Sequence, residues 1–193
     1  MGVHICKKGM KKIATALAGI LLCILVLNVT VFNDEFSIAT LTGSDRKLPI
    51  YSVSCDEKKI AISFDAAWGD EHTKPILDIL DKYNVKCTFF LVEFWVNKFP
   101  DDVKEIYKRG HEIGNHSSTH PNMSKLSTDE IEKELCETEE KIKELTGKKP
   151  TVFRPPFGAY SNTLIETCEE NGYKVIQWDV EALVLKYNSI KYC

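Results

Sequence analysis

The sequence predicts an α/β domain with a parallel sheet, set behind one N-terminal transmembrane helix. Three observations carry that prediction. Strand-like and helix-like segments alternate from Lys58 onward, the order that a parallel sheet with crossover helices requires. Within them, VKCTFFLV (85–92) is an unbroken apolar run, as expected of a strand covered on both faces. Ahead of them, residues 13–32 contain no charge, and a helix needs about 20 apolar residues to cross a hydrocarbon core of about 30 Å.

The elements follow in order. Residues 1–12 are a basic tail with Lys7, Lys8, Lys11 and Lys12 and no acid, which by the positive-inside rule keeps the N-terminus in the cytoplasm. Residues 13–32 read as an anchor or a signal. The run is longer than the roughly 7–15 residues of a signal core, and no small-x-small cleavage site follows, which favours a retained anchor. The domain is then extracytoplasmic on a single-pass protein of the cell membrane, or secreted if the segment is cleaved. Residues 33–57, with Gly43 and Pro49, read as a stalk, and 58–193 as the domain.

KKIAISFD reads as the first strand. HTKPILDILDKY places Ile76, Leu77, Ile79, Leu80 and Tyr83 at helical spacing. After VKCTFFLV, FPDDVKEIYKRG reads as a helix that stops at Gly110, and HEIGNH as a short third strand. STDEIEKELCETEEKIKELTG is the clearest helix. It opens at Ser127 and Thr128 with acids in its first turn, sets Ile131, Leu135, Ile142 and Leu145 on one face, and ends at Gly147. TVFRPP reads as a strand end, SNTLIETCEENG as a helix ending at Gly172, and YKVIQWDV as the next strand.

Composition narrows the function. All 28 acidic residues, and all but four of the 25 basic ones, follow Phe32, so the outer domain is acidic and a poor partner for nucleic acid. Hydrophobic content of 44% supports a real core. The seven cysteines form no C-x-x-C pair, which argues against a thiolate zinc site or a redox motif and for buried free thiols.

Parallel α/β folds gather their chemistry at the C-terminal ends of the strands. FDAAWGD follows the first strand with Asp65 and Asp70, NHSSTH the third, RPPFGAY the fourth and WDVEA the fifth. His116 and His120 have the i, i+4 spacing that can put two imidazoles on one ion, but they follow a strand and lack the H-E-x-x-H helix of a metalloprotease. With a carboxylate and water they would suit zinc or a similar divalent ion; otherwise they are two loop histidines. Asp65 reads as a metal ligand, a general base or a helix N-cap. Arg154 reads as its ion-pair partner or as an ordinary surface cation. Backbone N–H groups of RPPFG could stabilise an oxyanion. Trp68 and Tyr160 would line a sugar groove or simply pack.

Together, ISFDAAWG, HEIGNHSSTH, RPPFGAY and WDVEAL, in that order over about residues 58–183, resemble the polysaccharide deacetylase family, carbohydrate esterase family four, with its nodulation-type homology domain. The FDxxWG variant and the anchor resemble its sporulation-associated branch. The resemblance implies a distorted (β/α) barrel of the glycoside hydrolase/deacetylase type. It also implies a divalent metal, usually zinc, and hydrolysis of acetyl groups from N-acetyl sugars of peptidoglycan or chitin-like polysaccharide. It implies that Asp65 is the catalytic base, His116 and His120 the metal ligands, Arg154 the residue that orients the base, and the N–H of Phe157 the oxyanion donor.

The sequence also departs from the family pattern. Where the family's first block, T-F-D-D-G, has a second aspartate as metal ligand, this chain has Ala66, so Asp70 or water would have to fill the place. Where the fourth block, D-x-x-D-W, has its second aspartate and tryptophan, this chain has Val184 and Leu185, and no L-x-H block with its acid histidine follows. The expectation is an incomplete barrel, a C-terminally truncated domain and impaired turnover. The alternative is a non-catalytic glycan-binding or sporulation wall protein.

Overall fold

The computed structural model describes residues 46–180. The basic tail, the segment 13–32, most of the stalk, and Val184 and Leu185 lie outside the described residues. Among the described residues, no helix is long and apolar enough to cross a membrane.

Five parallel strands form one sheet in the order β1-β2-β3-β4-β5: Ser63–Ala66, Thr88–Leu91, Glu112–Asn115, Val152–Phe153 and Lys174–Val175. Five helices connect them: α1 (Thr73–Lys82), α2 (Glu93–Lys98), α3 (Pro100–Lys108), α4 (Thr128–Thr146) and α5 (Asn162–Glu170). This is the alternation expected from the sequence, with one addition. Helix α2 lies in EFWVNK, whose bulky apolar residues give no helical period of their own; its fully buried Trp95 and Val96 hold it against the sheet. A second addition lies at the N-terminal side. Ile50 bridges Ile176 in parallel, and Lys47 pairs with Glu166 and Glu169 of α5, so the chain joins the domain before residue 58.

The core has two parts. Leu77, Leu80, Phe89, Leu91, Trp95, Val103 and Ile106 form one, packing α1, α2 and α3 on the first strands. Ile131, Leu135, Phe153, Leu164, Ile165 and Val175 form the other, under α4 and α5. In β2, Phe89, Phe90 and Leu91 are all buried, as an unbroken apolar run requires. On α1 the apolar pattern was broader than the buried face: Leu77 and Leu80 are buried, whereas Ile79 and Tyr83 are exposed. Helix α4 follows its sequence signals closely. Ser127 and Glu130 form a reciprocal capping box, and Gly147 ends the helix in a left-handed conformation at φ 72°.

Half of the described cysteines depart from expectation. Cys87 and Cys168 are buried free thiols, raised by burial to about 11 and about 12, whereas Cys55 and Cys136 are exposed.

The sheet is curled. In a flat sheet β1 and β4 would stand about 14 Å apart, at about 4.8 Å per strand spacing, more than an arginine side chain spans. Yet Arg154, just after β4, donates from Nη2 to Ser63 Oγ on β1 at 2.8 Å. That curvature brings the C-terminal ends of the strands around a common centre.

Candidate active site

Asp65 lies on β1, in register with Phe90 of β2 and, one strand further, Gly114 of β3. A Cβ on Gly114 would come within 2.5 Å of the Phe90 ring, so the glycine of HEIGN is what lets Phe90 occupy this row. Phe90 in turn carries the Arg154 guanidinium, 4.1 Å from its ring centroid, and Trp178 lies on the same cation at 5.6 Å. Arg154 is buried and donates from Nη1 to Asp65 Oδ1 at 2.7 Å. With Ser63 Oγ taking the second nitrogen, the fork is fixed at two points and Asp65 is aimed. Arg154 is therefore not the surface cation that the sequence left open.

His116 leaves the end of β3 and is buried. Its Nδ1 lies 2.7 Å from the Arg154 carbonyl oxygen. A carbonyl only accepts, so Nδ1 carries the proton and Nε2 presents its lone pair, 3.9 Å from Asp65 Oδ2. Burial pushes the His116 pKa down, with Asp65 pulling the other way. The His120 ring stands 5.1 Å from that of His116 and 4.8 Å from that of Phe157.

The loop between the two histidines is an unusual piece of backbone. Ser117 and His120 both have positive φ, 70° and 58°. Left-handed conformations cost a non-glycine residue roughly 1–2 kcal/mol each, so the loop needs outside support. Asn115 Oδ1 accepts from Ser117 N–H at 2.9 Å, and Ser117 Oγ accepts from His120 N–H at 3.1 Å. Glu134 of α4 accepts from Ser118 N–H and Thr119 N–H at 2.8 Å each, and from the Thr119 hydroxyl at 2.6 Å. Asn115 is itself anchored, donating to Leu135 O and to the Tyr173 hydroxyl.

Phe157 is a third non-glycine residue with positive φ, 60°, in the short helical turn Pro156–Gly158. Gln177 Nε2 donates to Gly158 O at 2.7 Å, and a Cβ on Gly158 would lie 2.9 Å from Trp178. Gln177 and Trp178 thus brace the RPPFG loop from β5.

The other candidates sit further out. Trp68 is 81% exposed, with its ring 5.2 Å from Phe94, while Trp95 Nε1 holds the same loop by donating to Gly69 O at 2.6 Å. The Tyr160 hydroxyl lies 3.3 Å from that of Tyr51. Asp70 is not brought to the histidines. It stands beside Asp102 of α3, whose carboxyl is pushed up by burial first and by Asp70 second. His111, the third histidine of HEIGNHSSTH, is a core residue; its Nδ1 accepts from Cys87 N–H and its ring meets Phe89 edge-on. A cavity of about 550 Å³, lined by Gly110, His111, Ile113, Ile142, Pro150 and Thr151 among others, lies at the opposite end of the strands and takes in none of the site residues.

Catalytic zinc sites generally use three protein ligands and leave a position for water. Here the His116 imidazole faces a carboxylate already engaged by Arg154, and the His120 ring stands beside that of His116. The side chain at 66 is a methyl group packed against the apolar cluster of Phe89, Leu91 and Trp95. Among the described residues, no group of three His, Cys, Asp or Glu side chains is placed to hold a metal. The residues present do not complete such a site.

Sequence reasoning found Asp65, His116, His120 and Arg154 and missed Ser63, Phe90, Glu134 and Gln177. Of these, Ser63 in ISFDAAWG and Gln177, beside the tryptophan of QWDV, sit within motif-like stretches that could have signalled them.

A parallel α/β sheet thus carries carboxylate, arginine and paired imidazoles beyond its strand ends. The family model for polysaccharide deacetylase matches residues 52–176, and the chain belongs to that family, whose members hydrolyse non-peptide carbon–nitrogen bonds. It is 37% identical over 151 residues to a peptidoglycan-N-acetylglucosamine deacetylase of Bacillus cereus, covering 78% of this chain and 55% of the relative. Among solved structures it is similar to PdaA of Bacillus subtilis, a family 4 carbohydrate esterase, with TM-score 0.68 and 33% identity over 72% of this chain and 60% of that one. It is also similar to a family 4 pseudoenzyme of Bacillus anthracis, with TM-score 0.66 and 37% identity over 68% and 47%. A mutant of that pseudoenzyme with restored enzymatic activity matches equally well, at TM-score 0.66 and 39% identity over 68% and 48%. The chain spans about half the length of the curated relatives it matches.

Proposed function

We propose that this chain engages N-acetylated cell-wall polysaccharide, peptidoglycan first, at a deacetylase-type site that turns over weakly. The observation that carries the reading is the triangle of Asp65, Arg154 and His116: an aimed carboxylate 3.9 Å from an imidazole nitrogen that presents its lone pair. In this reading Asp65 takes the proton of a water attacking the acetamido carbonyl, and Arg154 keeps Asp65 in place. The Phe157 N–H receives the developing oxyanion. A divalent ion, zinc by the softness of its ligands, would rest on His116 and His120 alone and bind weakly. Trp68 and Tyr51 offer exposed aromatic surface to the glycan, while Tyr160, beside Tyr51, is half-buried against the core. In this reading the uncharged run 13–32 behind four lysines anchors the chain in the cell membrane with the domain outside, and the FDxxWG variant supports the sporulation-associated branch.

A non-catalytic, glycan-binding role is favoured by one observation, the lack of a third metal donor among the described residues. The similarity to a family 4 pseudoenzyme of Bacillus anthracis, of which a mutant has restored enzymatic activity, supports a reading without turnover.

Cosedimentation with insoluble peptidoglycan, native and chemically de-N-acetylated, tests the proposal. The chain is expected in the pellet with the acetylated polymer, and Trp68→Ala should weaken binding by up to about tenfold, the worth of one aromatic contact. Equal or no retention on both polymers would overturn it.

A further inference from the structure

We propose that Glu134 is a positioning residue that sets the placement of the His116–His120 pair; this rests on the reading of that pair as the working imidazoles of the site. Glu134 lies on α4, and its side-chain bonds go to Ser118 and Thr119. Its carboxylate gathers three donors of the Ser118–Thr119 dipeptide in the link between the two histidines: both backbone N–H groups on Oε2 and the Thr119 hydroxyl on Oε1.

The geometry makes this grip decisive. Ser117 and His120, on either side of the gripped dipeptide, both hold positive φ. Released, the chain would relax toward ordinary backbone angles, and rotation about Ser117 and His120 swings the His120 ring away from His116. The inner supports do not replace the clamp. Asn115, anchored on β3, holds Ser117 N–H, and Ser117 Oγ holds His120 N–H, but these bonds end at Ser117 and His120 and leave the dipeptide between them to Glu134. Glu93 N–H of α2 holds Ser117 O at 3.1 Å, whereas the Ser118 and Thr119 amides are held by Glu134, and α4 is fixed by Ile131 and Leu135 in the core on either side of it. A carboxylate accepting from two consecutive amides makes strong, charge-assisted bonds. A position-134 acid on an amphipathic helix would otherwise be a solvated side chain with nothing to do.

Amide hydrogen exchange and ring–ring NOEs on Glu134→Ala and Glu134→Gln, without metal, test the claim directly. In Glu134→Ala, Ser118 and Thr119 amides should exchange at least about tenfold faster, as loss of a charge-assisted hydrogen bond implies. The NOE between the His120 and Phe157 rings should be lost, while Ile131 and Leu135 amides keep their protection. Glu134→Gln retains one acceptor oxygen and should recover part of both signals; it also serves if the alanine variant does not fold. An unchanged His120–Phe157 NOE in a folded variant would overturn the proposal. Titration with zinc alone separates the two readings. If wild type binds zinc and Glu134→Ala binds it equally well, the positioning role is wrong. If wild type binds none, the metal reading fails, and the NOE still decides the role of Glu134.

Discussion

The ends of β1 and β3 supply the two halves of the candidate site, and they are held differently. At β3 the support comes from backbone-directed bonds: Asn115 and Glu134 grip amides, and Arg154 O grips the His116 ring. At β1 the support is a single charged side chain, Arg154, pinned between Phe90 and Trp178 and reaching Asp65 and Ser63. The imidazole half is therefore built to hold its shape whether or not it is used. The carboxylate half depends on side-chain identity, and there the methyl group of Ala66 offers a metal no donor. Function is lost most easily where one side chain carries the geometry.

The sharpest way to break this contrast is Arg154→Leu. Removing a buried cation leaves Asp65 and Ser63 without their partner, and because Asp65 is itself 37% exposed the cost should fall near the low end of the buried-pair range, about 3 kcal/mol. Urea denaturation measures it. A loss below about 1 kcal/mol would mean that the β1 end does not depend on this side chain.

Ala66→Asp tests the other side of the same claim. If position 66 faces the ion, zinc affinity should rise by about 100-fold or more, beyond the 10–100-fold that an outer-shell partner supplies. Chelator competition reads this. A lowered melting temperature with no gain in affinity would mean that a carboxylate at 66 only disturbs the apolar cluster that Ala66 packs against and supplies the site no donor.

The smallest effect separates His111 from its two neighbours. Burial lowers its pKa, so the folded protein favours neutral imidazole while the unfolded chain protonates near pH 6.5. This contribution is complete above about pH 6.5 and is lost as pH falls through the lower folded value. His116 shifts in the same direction, so His111→Phe should flatten, not abolish, the acid slope of stability. Denaturation midpoints between pH 5 and 7.5 check it; an unchanged slope would contradict the neutral, buried state of His111.

Much of this was readable from the sequence, because period and punctuation report local structure. Ser127, Glu130 and Gly147 delimit α4, and the run through Phe89 and Phe90 marks the central strand. Motif residues at the strand exits located Asp65, His116, His120 and Arg154. What the sequence hid is long-range. Asp70, five residues beyond Asp65, turns to Asp102 of α3 because the chain enters α1 there. Glu134 looks like any helix acid until the loop is folded onto it. Gly114 reads as a strand weakness, and only the register against Phe90 shows its use.

Acetate release from N-acetylated peptidoglycan in excess zinc, beside the Bacillus cereus deacetylase, tests the central claim most directly. A site lacking its third metal donor should turn over at least about 100-fold more slowly, the low end of what one lost catalytic group costs. Release at the relative's rate would contradict the account.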